Sequence, residues 1–267
     1  MIGLTIFTVA TGRYLNFWIQ LVESGEEFIG SSVRTQWLVL TDQVEMIPTE
    51  IVAKLGPRLT VIQINHEPWP YPTLKRYEYL QFVRNQVVGD YLMHLDADMI
   101  FVASINEADI TTPLTESEIT CVSHPGYFRP DGIKRLDFYS RNLRKVIQDV
   151  ILYLKFGGVG TWERNSHSTA YVHRSQRKNY VCGGCWFGHT TKILAMASIL
   201  EKNINLDLGN GYIAKFHDES HLNSFVANND VNVLAPEFCF EPRYPQLKGL
   251  TAKILAVDKN AESKWLR

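Results

Sequence analysis

Cysteine is scarce in this chain, with four in 267 residues. Domains stapled by disulfides carry far more, so a disulfide framework is excluded and the chain reads as intracellular. An excess of either charge is also missing: 27 Lys and Arg face 28 Asp and Glu, for a net charge of -1. That balance argues against a nucleic-acid coat or a polybasic membrane clamp, which both need surplus positive charge. No apolar run approaches the ~20 residues that would cross a bilayer as a helix. The opening Met1-Ile2-Gly3-Leu4-Thr5-Ile6-Phe7 lacks the basic segment and small-residue cleavage site of a secretory leader. Repeats, low-complexity tracts and Gly/Ser linkers are absent too, which predicts one domain over 1–267. What the chain does have is 45% hydrophobic residues, enough for a sizeable core. A compact, soluble, cytoplasmic protein is the expectation.

Short apolar runs alternate with helix-period segments. Ile2 to Ala10, rich in Ile, Val and Thr, reads as a buried strand, and Leu15, Trp18, Ile19 and Val22 then recur at helical spacing. Further strands are predicted at Gln36 to Leu40, Leu59 to Ile64, Tyr91 to Leu95 and Ile119 to Ser123. Tyr77, Leu80, Val83 and Val87 mark a helix between the third and fourth of these strands, and later helices fit Lys192 to Lys202 and Asp218 to about Asn228. Strands separated by helices favour βαβ units and a mostly parallel sheet. In such a sheet ligands bind beyond the carboxyl ends of the strands, so the chemistry is sought just after each strand.

Two places there stand out. The apolar run Tyr91 to Leu95 leads straight into Asp96-Ala97-Asp98. Side chains two apart on an extended backbone share a side, so both carboxylates can converge on one point. They repel unless a cation lies between them, and hard ions such as Mg²⁺ or Mn²⁺ share such ligands with a substrate's phosphates. The alternative is an ordinary acidic loop with solvated carboxylates. The second place is Phe216-His217-Asp218-Glu219-Ser220-His221-Leu222-Asn223. Acids in a first helical turn suit the dipole, but capping explains Asp218 better than the whole cluster. His217 and His221 invite comparison with the zinc-protease H-E-x-x-H pattern; the acid is one place off and no third ligand is evident, which excludes it. Cys182-Gly183-Gly184-Cys185 lacks the context of a redox or zinc site, and its glycines suggest close approach of a ligand to the backbone. Gly157-Gly158-Val159-Gly160 does not complete a dinucleotide fingerprint.

In this order the pieces resemble one family, the retaining glycosyltransferases that include the blood-group A and B transferases and α-1,3-galactosyltransferase. The resemblance spans nearly the whole chain: Ile6-Phe7-Thr8-Val9, Tyr14, Thr41-Asp42-Gln43, Lys75-Arg76, Leu95 to Met99 and His124-Pro125-Gly126. It continues through Trp162-Glu163-Arg164 to Ala170-Tyr171, the Gly183-Gly184 turn and Leu234-Ala235-Pro236-Glu237, and it is strongest at His217 to Asn223. It implies an α/β domain of GT-A type, a Rossmann-like, mixed and mostly parallel sheet flanked by helices. Such a domain binds a UDP-sugar and transfers the sugar with retention. By the same resemblance Asp96 and Asp98 form the metal-and-diphosphate site, with Mn²⁺ or Mg²⁺. Phe7, Thr8, Val9 and Tyr14 match the uridine contacts, and Arg76 the basic residue near the donor. Glu219 matches the carboxylate beneath the anomeric carbon, either nucleophile or stabiliser of an oxocarbenium ion. Asp218 matches the acid on the sugar hydroxyls, and His124 and Thr161 match acceptor contacts. Lys259 matches a tail lysine on the leaving diphosphate. The family's tail arginine is out of register, with Trp265 in its place and Lys264 or Arg267 as substitutes. Gly184, the last residue of Cys182-Gly183-Gly184, leaves room for an acetamido group and points to UDP-GalNAc over UDP-Gal. Cys182 departs from the usual Leu, Met or His.

The implied acceptor is a galactoside-type glycan joined through an α-1,3 bond, free, lipid-linked or part of lipopolysaccharide; no nucleic acid is implied. A UDP-sugar or glycan-binding module without catalysis is the alternative, and the presence of Glu219, Asp96 and Asp98 favours the enzyme. Animal members carry a Golgi anchor and stem, whereas this chain starts a few residues before its first uridine-matching position. A bacterial or phage-like member acting in the cytoplasm is therefore expected. A segment at about 130–160 is longer than in the animal members. There Leu136, Tyr139, Leu143, Val146, Ile147, Val150, Ile151 and Leu154 make an apolar stripe at helical spacing, with Lys134, Arg135, Arg141, Arg144, Lys145 and Lys155 among them. A helix packed on the domain is the expected form; a lid or a dock for an anionic or lipid-linked acceptor is the alternative.

Overall fold

The computed structural model describes residues 1–130 and 132–258, with backbone alone for 132–134. Lys259, Lys264, Trp265, Arg267 and the side chain of Lys134 lie outside the described residues. The chain runs β1 (Ile2–Val9), α1 (Tyr14–Phe28), β2 (Val33–Thr41), α2 (Thr49–Leu55), β3 (Leu59–Gln63), α3 (Tyr71–Leu74), α4 (Arg76–Phe82) and β4 (Tyr91–Leu95). Then follow β5 (Met99–Phe101), α5 (Glu107–Thr111), β6 (Ile119–Ser123), α6 (Gly132–Arg141), α7 (Leu143–Phe156) and β7 (Val181–His189). The last elements are α8 (Thr190–Gly209), α9 (His217–Asn228), β8 (Asn232–Leu234) and β9 (Ile254–Ala256).

Seven strands form one sheet in the order β3-β2-β1-β4-β7-β6-β8. Every neighbouring pair is parallel except the two made by β7. The predicted α/β architecture with a mixed, mostly parallel sheet is borne out, and β5 and β9 add a small antiparallel pair beside it. Interior strands of such a sheet are covered on both faces and so are apolar throughout. Leu4 and Ile6 of β1 face the side covered by Trp18 and Leu21 of α1, and Phe7 faces the side covered by Tyr77 of α4, Leu200 of α8 and Leu222 of α9. The helix read through Val87 ends sooner, at Phe82, where the chain enters a short 3₁₀ turn at Arg84–Gln86.

Two expectations need correcting. Gly183 and Gly184 do not make a turn: they lie inside β7, a nine-residue strand. The strand interior needs glycine because another chain element presses on it; a Cβ on Gly184 would stand 2.7 Å from Asp96 Oδ2. The stripe on α6 and α7 is not packed on the domain either. Phe138 and Phe156 are buried, but Leu136, Leu143 and Leu154 are each more than 70% exposed. The hairpin is fastened by polar contacts instead. Arg129 donates from Nε to Asp149 Oδ2 at 2.6 Å, and the Tyr139 hydroxyl donates to the same oxygen at 2.7 Å.

Strand order reverses between β1 and β4. From β1 the chain winds outward through β2 and β3, then returns to lay β4 on the other side of β1. A crevice opens at such a switch point, outside the carboxyl ends of the two strands.

Candidate active site

A cleft of about 770 Å³ opens there. Its floor is built by three consecutive accidents of backbone geometry. β1 ends at Val9, and the backbone N–H of Gly12 donates to Asp42 Oδ1 at 2.7 Å, turning the chain so that Thr11 and Tyr14 face the cleft. β4 ends at Leu95, which delivers Asp96 and Asp98. β7 enters antiparallel beside β4, and its Gly184 carbonyl accepts from the Asp96 N–H at 2.9 Å.

Arg76, at the start of α4, organises the charges. Its guanidinium is almost wholly buried, and Nη2 donates to Asp96 Oδ1 at 2.7 Å. Nη1 donates to the Gly183 carbonyl and lies 2.9 Å from Asp218 Oδ2. That oxygen has no well-aligned hydrogen-bond donor, so its hold on Arg76 is Coulombic. Burial pushes the Asp218 carboxyl up to about 7; Arg76 opposes the rise, and the nearby charges of Asp96 and Glu219 add to it. Glu219 follows Asp218 in the first turn of α9. It accepts from the Tyr180 hydroxyl at 2.8 Å and from the Gly183 N–H at 2.9 Å. Burial raises it also to about 7, against the pull of those two donors.

Four histidines line the cleft, among them His94 and His124. His94 on β4 faces two acceptors, the Phe7 carbonyl at 3.1 Å and Asp96 Oδ1 at 3.3 Å. Burial, helped by Arg76, lowers its pKa to about 4, so the neutral ring donates to one acceptor at a time. His124, just past β6, accepts from the Gly126 N–H at 3.0 Å through Nδ1. Burial lowers it to about 4 as well, so its single proton sits on Nε2 as a fixed donor.

Val9, Tyr14, Arg76, Asp96, Asp98, His124, Thr161, Gly183, Gly184, Asp218 and Glu219 all line this one cleft. Three expected residues do not. Phe7 and Thr8 lie within β1 with no exposed surface, and Cys182 is buried in the core below Gly183. The Phe7 backbone still reaches the site, since its carbonyl meets His94. Sequence reasoning missed Thr11, which lines the wall two residues beyond Val9. It also missed Tyr180, because only folding brings that hydroxyl to Glu219, and the rim residues Glu67, Trp69 and Lys215.

A parallel half-sheet, a carboxylate pair at its switch point and a second acidic pair across the cleft define a GT-A type glycosyltransferase fold. The chain belongs to glycosyltransferase family 6, whose model matches residues 1–144 and 152–267. Among its relatives, the human globoside alpha-1,3-N-acetylgalactosaminyltransferase 1 is 28% identical over 252 residues, covering 92% of this chain. The chain spans 62% of that relative's length. The rat histo-blood group ABO system transferase 1 is 25% identical over 98% of this chain and 68% of its own. The Escherichia coli O-antigen biosynthesis glycosyltransferase WbnI is 26% identical over 261 residues, 97% of this chain and 96% of its own. The resemblance read from the sequence is thereby borne out.

Enzymes of family 6 generally use a divalent metal. The donor set here fits one. Asp96 and Asp98 supply hard oxygens at the cleft floor, and among the described residues no group of three or more His, Cys, Asp and Glu could hold an ion alone. A Mg²⁺- or Mn²⁺-sized ion bound by one or two carboxylates completes its shell with substrate phosphates and water.

Proposed function

We propose that this chain is a metal-dependent retaining glycosyltransferase that moves GalNAc or Gal from a UDP-sugar to a galactoside-type glycan through an α-1,3 bond. The observation that carries the reading is Glu219, a half-buried carboxylate fixed by Tyr180 and Gly183 across the cleft from Asp96 and Asp98. Retention needs a carboxylate on the face of the sugar opposite the leaving group, as nucleophile or as stabiliser of the oxocarbenium ion. Glu219 takes that role. Asp218 accepts from hydroxyls of the transferred sugar, and Arg76 holds both acids in place. Val9, Thr11 and Tyr14 receive the uridine, and His124 Nε2–H with Thr161 receives the acceptor. Lys259 neutralises the leaving diphosphate as part of the same proposal, as do a cytoplasmic site of action and a lipid-linked or lipopolysaccharide acceptor.

Asp96 and Asp98 would hold Mn²⁺ or Mg²⁺, and the ion when bound would supply positive charge against the donor's diphosphate. Incubation with EDTA should therefore stop transfer, and added Mn²⁺ should restore it. Full activity in the chelator would refute the metal assignment. Incubating the protein with a panel of UDP-sugars and plain or fucosylated galactosides, then determining product linkage and anomer, tests the reaction itself.

For the donor, Gly184 favours UDP-GalNAc, because a side chain there would narrow the cleft beside the sugar. The same glycine also spares Asp96, since a Cβ would press on its carboxylate and on the Met99 methyl at 2.9 Å. Turnover with UDP-GalNAc should exceed that with UDP-Gal by about tenfold, the low end of what filling a pocket with one small group gives. A clear preference for UDP-Gal would overturn the donor assignment.

A further inference from the structure

Eight of the eighteen large apolar side chains left exposed by the described fold lie between 136 and 154. Six of them, Leu143, Val146, Ile147, Val150, Ile151 and Leu154, form one face of α7. A helix of 14 residues is about 21 Å long, so this is an apolar strip rather than a scatter of single residues. The family model leaves 145–151 unmatched, and Val146, Ile147, Val150 and Ile151, the middle of the strip, fall in that gap.

Charge identifies what covers it. Between residues 132 and 180 the sequence carries ten Lys and Arg against three Asp and Glu, while the whole chain is nearly balanced. Two of the three acids face inward: Asp149 is bound by Arg129, and Glu163 is buried. The third, Asp137, pairs with Arg141. Arg135, Arg144 and Lys155 are exposed along the hairpin. At the C-terminal end of α7, Arg174 donates to the Tyr153 carbonyl at 3.0 Å and Arg164 to the Lys155 carbonyl at 3.4 Å. Their charge suits the negative end of the helix dipole and widens the basic border of the strip.

We infer that the α6–α7 hairpin seats the protein on an anionic bilayer, with the apolar face of α7 in the headgroup boundary and the basic side chains on lipid phosphates. An apolar face bordered by Lys and Arg is the pattern of a helix lying in a membrane interface. A second copy of the chain fits less well, because a two-fold contact would set one basic border against another.

The hairpin also has a fixed place relative to the cleft. Phe156, the last residue of α7, packs with Trp162 and Tyr180, and Tyr180 donates to Glu219. Arg129, which grips Asp149, donates to the Phe128 carbonyl in the loop that begins at His124. The seated protein therefore presents the acceptor end of its cleft near the lipid. The statement that a lipid-anchored acceptor enters there rests on the proposed function; the seating itself does not.

The test mixes the full-length protein with sedimenting vesicles of phosphatidylcholine, alone or with phosphatidylglycerol. Binding to the anionic vesicles should be about tenfold tighter or more, and high salt should weaken it. Ile147→Asp with Ile151→Asp should abolish the binding. Arg144→Gln with Lys155→Gln should weaken it by about tenfold or more, since each basic side chain near an anionic surface contributes about fivefold. Hydrolysis of the UDP-sugar in solution should be unchanged in both double variants, which shows that they fold. Equal binding to both vesicle types, or binding unaffected by either double variant, overturns the inference. So does a lipid-free dimer that the aspartates dissociate, which would assign the strip to a second copy. Absence of transfer from every UDP-sugar to every acceptor of the panel would instead sink the proposed function and leave the vesicle result standing.

Discussion

Glu219→Gln is expected to lose roughly three orders of magnitude in turnover while keeping its affinity for UDP, the scale on which a nucleophile or charge-stabilising carboxylate acts. The amide preserves the shape of the site, because its oxygen can accept from the Gly183 N–H and the Tyr180 hydroxyl can turn to accept from the new NH₂. It cannot carry the negative charge. The same substitution should make the unliganded protein more stable above neutral pH. Glu219 ionises near 4.5 when unfolded and near 7 when folded, so the folded state holds an extra proton between those values. Stability therefore falls as pH rises through that window, by on the order of 3 kcal/mol for this group once pH exceeds 7. Removing the carboxyl lifts that cost. Thermal melts at pH 8 should show the variant higher by several degrees, with little difference at pH 4. A variant that transfers normally would remove Glu219 from the mechanism, and equal melts at pH 8 would show that its charge is not confined.

Arg76→Met should destabilise the fold strongly. It strips the cation from Asp96 and Asp218 and leaves Glu219 close to both. Breaking a buried pair by removing one partner costs about 3–5 kcal/mol, because the other charge stays buried without compensation. The loss should grow with pH. Asp218 and Glu219 already ionise near 7 with Arg76 present, and without it both shift further upward. At pH 5 they are protonated, and the lost cation is missed less. Denaturant unfolding of the variant and the parent at pH 5 and pH 8 should give a wider gap at pH 8. An equal gap at both would mean that Arg76 acts through packing alone.

How legible this site was in the sequence depended on the kind of signal at each position. Asp96 and Asp98 could be read because an unbroken apolar run, Tyr91 to Leu95, delivered them to a strand end. Asp218 and Glu219 stood in a polar string too long for helix capping to explain. Of Phe7-Thr8-Val9 on β1 only Val9 lines the cleft, and Thr11 lines it two residues further on. Phe7-Thr8-Val9 and Val9-Ala10-Thr11 both alternate large and small, and a slip of two along a strand keeps every side chain on its face. β7 escaped because its glycines read as a turn; Gly184 is required by Asp96, nearly ninety residues away in sequence, and Gly183 lies against Arg76, Asp218 and Glu219. Tyr180 carried no local mark at all, since its role exists only through Glu219. For α7 the periodicity correctly announced an amphipathic helix. Whether protein would cover its apolar face is a tertiary question, and spacing alone could not answer it.

The bond from the Asp96 N–H to the Gly184 carbonyl has a dynamic consequence. It continues the hydrogen-bond ladder of β4 and β7 into the cleft, so the floor that carries Asp96 is an extension of the sheet. A floor made this way cannot open without unzipping two central strands, which places it among the last regions to exchange amide hydrogens. The nucleotide therefore meets a preset surface and loses little affinity to ordering it.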